Sequence, residues 1–403
     1  MLKHIEFERH GTPDSDTEQR SISPGGVTDD DTELNTPSTQ RSLSPVAPER
    51  LKSPVMPSAD LSSQEIRRLS NEIAHQPDID PDFAHYAGLE LLARHLAYAE
   101  SLPLGSKVDL MVNGRPVTYQ YRESAQFGRS LIEGHMTAMA LTPEQEDDPS
   151  PPIILFHGTV VDPLSHRWAG NTWLSNFDPR GIGRSLLNWR GTGLDEQVNN
   201  FFDRYTGRGS HKAIVVGHSL GGTLANLAAI YKPNCIEKTV TFNAPAVHWY
   251  AKQQADSTPH QQRPKVWRFE PAINGAPADF IAQLGSRKDG ATILMNTPPT
   301  TTLGAHSAPL FLNNAPFVNE GPGTFSERLT RAEKAGQALT QHFNEQRPYW
   351  RNLFPAHGSL AVQTIGSWFA YPLTGAVLKV FRPVIGAFRT IRVLGRSGRG
   401  LIK

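Results

Sequence analysis

The chain has 403 residues, 38% of them hydrophobic, with 33 glycines, 32 prolines and a net charge of +1. That length holds one large catalytic domain with extensions or two small domains, and the surplus of Pro and Gly points to unpacked stretches diluting a folded part. The charge balance gives no global argument for nucleic-acid binding, and the single cysteine, Cys235, excludes an intrachain disulfide or a metal cluster built on thiolates.

Residues 1–60 read as a disordered Ser/Thr/Pro-rich leader. They carry 11 acidic and 6 basic residues and almost no periodic apolar face, so they cannot offset their ordering entropy. The opening "MLKHIEFERHGTPD" has no apolar core of the kind a secretory signal needs. Ser-Pro and Thr-Pro pairs at Ser23, Thr36, Ser44 and Ser53 suit proline-directed kinases, or simply a solvated leader.

Residues 61–150 read as an extension of helices and a β-hairpin. Ser62 and Glu65 fit a capping box, with Ile66, Leu69 and Ile73 on one helical face. A second helix is expected from Pro81 to Ser101. Next, "KVDLMVNGRPVTYQYRE" alternates around Asn113-Gly114, a strong hairpin signal.

Residues 151–345 read as a catalytic domain. The runs "IILFHGT", "KAIVVGHS", "KTVTFNAP" and "KVWRFE" are apolar without strict alternation, which suits strands buried on both faces of a mostly parallel sheet. Helical patterns such as "LDEQVNNFFDRY" and "GTLANLAAIY" alternate with them, implying an α/β layered domain with ligands beyond the carboxyl ends of its strands.

Within that domain, Gly217-His218-Ser219-Leu220-Gly221 lies between a strand pattern and a helix pattern. This is the setting of a nucleophile elbow, where a serine on a sharp turn faces the N–H groups opening the next helix. Such a site needs a second oxyanion donor from an early strand end. Thr159, after His157-Gly158, supplies it, paired with the Leu220 N–H. His157 and His218 flank turns and read as structural. The acid and base are expected downstream in that order. Asp279 is the favoured acid, with Glu270 and Asp289 as rivals, and His306 in "GAHSAPLFL" is the base. The connecting segment with Trp168, Trp173 and Trp189 reads equally as a lid or as a helix packed on the sheet.

The blocks "ILFHGT", "VVGHSLGGTLANLAA", "TFNAPAV", "ADFIAQLG" and "GAHSAPLF" together resemble the class 3 lipase family. The resemblance spans roughly residues 150–315. It implies an α/β-hydrolase fold, to which the residue patterns on either side add a helical N-terminal extension and a helical basic C-terminal one. It also implies a cofactor-free serine esterase or lipase acting on acylglycerols or phospholipids, with Ser219 as nucleophile, Asp279 as acid, His306 as base, and Thr159 and Leu220 as oxyanion hole. The family's acid usually follows its strand closely, whereas "PAINGAP" intervenes here.

Residues 346–403 hold nine basic and no acidic residues. The stretch 358–378 is uncharged and long enough to cross a bilayer, although glycines, a proline and polar residues interrupt it. Beyond it, Phe381, Val384, Phe388, Ile391 and Leu394 share one helical face, and Arg382, Arg389, Arg392, Arg396 and Arg399 fall on the other. That pattern suits an anionic membrane surface or a helix packed on the catalytic domain; nucleic acid is not the expected partner. The expected setting is a membrane's cytosolic face, for a eukaryotic enzyme or a bacterial effector delivered into host cells. Two further functions fit the same residues: a catalytically idle interaction module on a membrane, or an acyltransferase.

Overall fold

The computed structural model describes Leu51 and residues 61–99, 102–127, 136–158, 194–247, 251, 263–279, 281–285, 287–300 and 302–345, all within one compact unit, 47–403. The leader apart from Leu51, and also Thr159, the three-tryptophan segment and the basic tail after 345, lie outside the described residues. No described helix is long and apolar enough to cross a membrane.

Helix α1 (Ser63–His75) starts on the expected capping box. The Ser62 hydroxyl accepts from the Glu65 N–H at 3.2 Å, and Glu65 accepts from the Ser62 N–H at 2.9 Å. Helix α2 (Pro81–Arg94) is capped by Asp80 and opens on a proline whose missing N–H costs nothing there. It ends at Arg94, short of the expected Ser101, and tightens into a 3₁₀ turn over Leu96–Tyr98, a frequent finish for a helix. Every residue from Phe83 to Ala93 is buried, so α2 is an interior helix and not an amphipathic surface one.

Strands β1 (Lys107–Val112) and β2 (Arg115–Phe127) form the expected hairpin. Asn113 and Gly114 take φ of 49° and 78°, both positive as a two-residue hairpin turn of this kind requires. Strands β3 (Met136–Pro143), β4 (Ile153–Phe156), β5 (Ala213–His218), β6 (Ile236–Phe242) and β7 (Lys265–Ile273) follow in spatial order, with β8 (Ala276–Pro277) and β9 (Ala291–Asn296) on β7. Pairing is antiparallel from β1 to β4 and parallel from β4 to β7 and on to β9. Residues 107–143, read from sequence as part of an extension, therefore build the first third of the same sheet.

The parallel strands are buried on both faces, which explains their unbroken apolar runs. Ile153, Leu155, Ile214 and Val216 point into one core with α1 and α2. Ile154, Phe156, Ala213 and Val215 point into another with helices α3 (Leu194–Thr206) and α4 (Leu220–Tyr231). Helix α6 (Phe325–Glu345) crosses β9 so closely that a Cβ on Gly336 would lie 2.7 Å from the Thr292 carbonyl oxygen. These layers fix β4, β5, β6, β7 and β9 with their carboxyl ends along one edge, where the connecting loops carry the chemistry.

Candidate active site

Ser219 stands between β5 and α4 at φ 55°, ψ −130°, a conformation that costs a non-glycine residue roughly 1–3 kcal/mol. The sheet supplies the restraint: its N–H donates to the Phe242 carbonyl at 3.0 Å, and its carbonyl accepts from Gly222 at 3.0 Å. The turn closes only because the flanking positions lack side chains. A Cβ on Gly221 would sit 2.2 Å from the Phe156 carbonyl oxygen, and one on Gly217 would sit 2.3 Å from Gly221. The Leu220 N–H belongs to the first turn of α4, where amides have no partner within the helix. It is the oxyanion donor expected from sequence that the structure describes; Thr159, its expected companion, lies outside the described residues.

Asp279 and His306 converge on this serine. Asp279 is 1% exposed; its Oδ1 accepts from the Ile281 N–H at 2.8 Å. Its Oδ2 accepts from His306 Nδ1 at 2.8 Å. An ionised carboxylate can only accept, so the imidazole proton lies on Nδ1 and Nε2 keeps its lone pair. Ser219 Oγ stands 2.8 Å from that Nε2 and donates to it. The three side chains form one hydrogen-bonded line from a buried carboxylate to a hydroxyl.

The late arrival of the acid has a structural cause. "PAINGAP" is the end of β7, a turn and β8: Ala272 pairs with Pro277 and Ile273 with Ala276 around Asn274-Gly275, whose φ values are 53° and 80°. The hairpin places Asp279 directly after β8. The rival acids are occupied elsewhere. Glu270, fully buried, holds the Lys288 ammonium at 2.8 Å, and Asp289 pairs with Arg287 at 2.7 Å.

His157 and His218 take the structural places expected of them. His157 Nδ1 donates to the Gly158 carbonyl at 2.6 Å. Its ring packs 4.5 Å from that of Tyr98. His218, half-buried next to the serine, loses enough solvent that desolvation, then the Arg94 charge, then His306 hold its pKa well below 6.5. His218 Nε2 lies 3.0 Å from Arg94 Nη1 and 3.3 Å from the His306 carbonyl; the guanidinium can only donate, so Nε2 accepts from it, the carbonyl is left to the Asn243 amide, and the histidine's proton lies on Nδ1, facing Tyr98 Oη at 3.4 Å. Tyr98 also closes over the oxyanion strand end: a Cβ on Gly158 would lie 2.0 Å from its hydroxyl.

Sequence reasoning missed Glu90, Arg94, Tyr98 and Asn243. The first three recur every fourth residue, so one face of α2 and its 3₁₀ turn lines the back of the site. The available signal was a charged Glu-Arg pair inside the apolar stretch "GLELLARHLAY". Among the described residues, no group of three or more His, Cys, Asp or Glu side chains is arranged to hold a metal ion.

A profile of the alpha/beta hydrolase family matches residues 153–380, more than half of the chain. Among solved structures, the chain is similar to a Rhizomucor miehei lipase in complex with its propeptide, at 19% identity over 44% of this chain and 57% of that one, with a TM-score of 0.30. It is similar to a Yarrowia lipolytica lipase at 15% identity, covering 49% and 69% of the two chains, and to a Penicillium expansum triacylglycerol lipase at 13%, covering 53% and 80%, each with a TM-score of 0.30. It thus spans little more than half the length of the Rhizomucor enzyme. No curated protein matches the chain. The chain belongs to the alpha/beta hydrolase family.

Proposed function

We propose that this protein is a serine carboxylic-ester hydrolase acting on membrane lipid esters, of the lipase or phospholipase type. One observation carries the reading: the line from Asp279 through His306 to Ser219, with both hydrogen bonds at 2.8 Å, ending on a strained serine at a helix N-terminus. His306 Nε2 takes the Ser219 proton as Oγ attacks the ester carbonyl. The oxyanion forms at the Leu220 N–H, with Thr159 as second donor, and one such donor is worth about 3 kcal/mol of barrier. The tetrahedral intermediate expels the alcohol, which leaves with the proton from His306, and the acyl group remains on Ser219. Water, deprotonated by the same imidazole, then releases the acid and restores the serine. Asp279 stays ionised throughout, holds the tautomer and stabilises the imidazolium.

The lipid part of the reading is supported by the basic tail. The amphipathic residue pattern over 381–399, drawn to an anionic surface, would bring the site to its substrate at the cytosolic face of a membrane. Two measurements test the two parts separately. A fluorophosphonate probe labels the full chain and fails to label Ser219→Ala; a folded wild type that resists the probe in detergent and out of it sinks the hydrolase. Fatty-acid release from anionic liposomes is lower for a chain lacking 358–403; equal rates remove the tail from the argument.

A further inference from the structure

His306 lies on α5 (Thr302–Ser307), a six-residue helix too short to hold itself. Its last carbonyls have no partner within the helix. They are met by two side chains from distant parts of the chain. Asn243, after β6, donates from Nδ2 to the carbonyls of Ala305 at 2.9 Å and His306 at 2.8 Å. Arg94, at the end of α2, donates to the carbonyls of Ser307 at 3.3 Å and Ala308 at 2.7 Å. Four successive carbonyls around the histidine are thereby fixed.

The Arg94 guanidinium is saturated. Its side chain is 5% exposed, and its five N–H groups meet five acceptors. Nε donates to Glu90 at 2.7 Å, Nη1 to His218 Nε2 and the Ser307 carbonyl, and Nη2 to Asn243 Oδ1 at 2.8 Å and the Ala308 carbonyl. Glu90, fully buried beside it, continues the grip by accepting from the Leu310 and Leu312 N–H groups at 2.8 and 3.0 Å. One cation thus joins the histidine's helix, the asparagine that also holds it, and the histidine beside Ser219. A cation at a helix C-terminus is also electrostatically favourable.

We propose that Arg94 is a positioning residue for catalysis: through its contacts to Ser307, Ala308, Asn243 and His218 it sets His306 Nε2 against Ser219 Oγ, and helix α2 is therefore part of the active-site machinery. The inference rests on the reading of Ser219 and His306 as nucleophile and base. Lysine cannot replace it, since an ammonium has three donors and no planar fork.

Arg94→Ala and Arg94→Lys in the full chain, assayed on a short soluble p-nitrophenyl ester, test the proposal. A misplacement of about 1 Å costs on the order of 10²-fold. Accordingly, kcat falls by on the order of 10²-fold in both variants while KM changes little, and millimolar guanidinium restores part of the kcat of Arg94→Ala but not of Arg94→Lys. Should Arg94→Ala not fold, Arg94→Lys alone decides, by its kcat at unchanged KM. An unaltered kcat in a folded variant overturns the proposal, as does a loss that follows the folded fraction and ignores guanidinium. The probe separates the two failures. A wild type that does not label sinks the reading of the site, and this inference with it. A wild type that labels, beside variants that label and turn over at its rate, sinks this inference alone.

Discussion

Asp279 and Glu270 are both buried carboxylates in the stretch after β6, yet their surroundings give them different work. Asp279 faces an imidazole that faces a hydroxyl, whereas Glu270 is bracketed by Lys288, Arg268 and Gln283. Two substitutions separate them. Asp279→Asn keeps shape but reverses the imidazole tautomer, so kcat falls on the order of 10⁴-fold while the urea midpoint barely moves. Glu270→Gln leaves the Lys288 ammonium, 2% exposed, without a counter-charge. Breaking a buried pair costs about 3–5 kcal/mol, so its midpoint drops sharply. The reverse pattern would show that the acid has been misassigned. Histidines give a second residue-scale prediction. His85 is buried, with its pKa lowered from 6.5 to about 4 chiefly by burial, and His218 is lowered in the same sense. Below pH about 6.5 the unfolded chain binds protons that the folded chain refuses. Stability is therefore full above that pH and falls on acidification, by about 1.4 kcal/mol per pH unit for His85 until its folded-state pKa is reached, with His218 acting in the same direction. Denaturant midpoints between pH 7 and 4.5 check this, and His85→Gln, which retains a donor for the Met111 carbonyl, flattens the slope.

At the scale of elements, what could be read from sequence was whatever local spacing encodes. The capping box at Ser62, the Asn113-Gly114 hairpin and the strand-serine-helix turn each depend on residues within a few positions of one another, and each forms. Asp279 and His306 were placed by order along the chain, and the structure brings both to Ser219. The rest depended on contacts that no window shows. A Glu-Arg pair four residues apart reads as a surface ion pair; Glu90 and Arg94 are instead buried, and the backbone groups they meet at Ser307, Ala308, Leu310 and Leu312 lie more than 200 positions away. The α2 stop at Arg94 was equally illegible, since the apolar pattern runs on into the 3₁₀ turn. Packing between elements predicts a further outcome. Gly336→Val drives a branched side chain into the β9 backbone at Thr292, and overpacking of this kind costs about 1–3 kcal/mol. Thermal unfolding measures it; an unchanged Tm would mean that α6 moves off β9 freely.

For the molecule as a whole, two cores on opposite faces of a sheet of nine strands among the described residues hold the carboxyl ends of the parallel strands in register. The unbroken apolar strands made that layering legible, whereas the entry of β1, β2 and β3 into the same sheet was not, because an alternating hairpin reads alike at a sheet edge and in an appendage. The consequence is functional: α2, on the amino-terminal side of the chain, packs under the site and reaches its histidine loop. The proposed hydrolysis depends on Ser219 being a nucleophile. The most direct measurement is covalent labelling of the full chain by a fluorophosphonate, read by intact mass, in parallel with Ser219→Ala and His306→Ala. One adduct on the wild type, none on Ser219→Ala and labelling slowed at least a hundredfold in His306→Ala is the predicted result. A folded wild type with no adduct, or an adduct that survives Ser219→Ala, contradicts it.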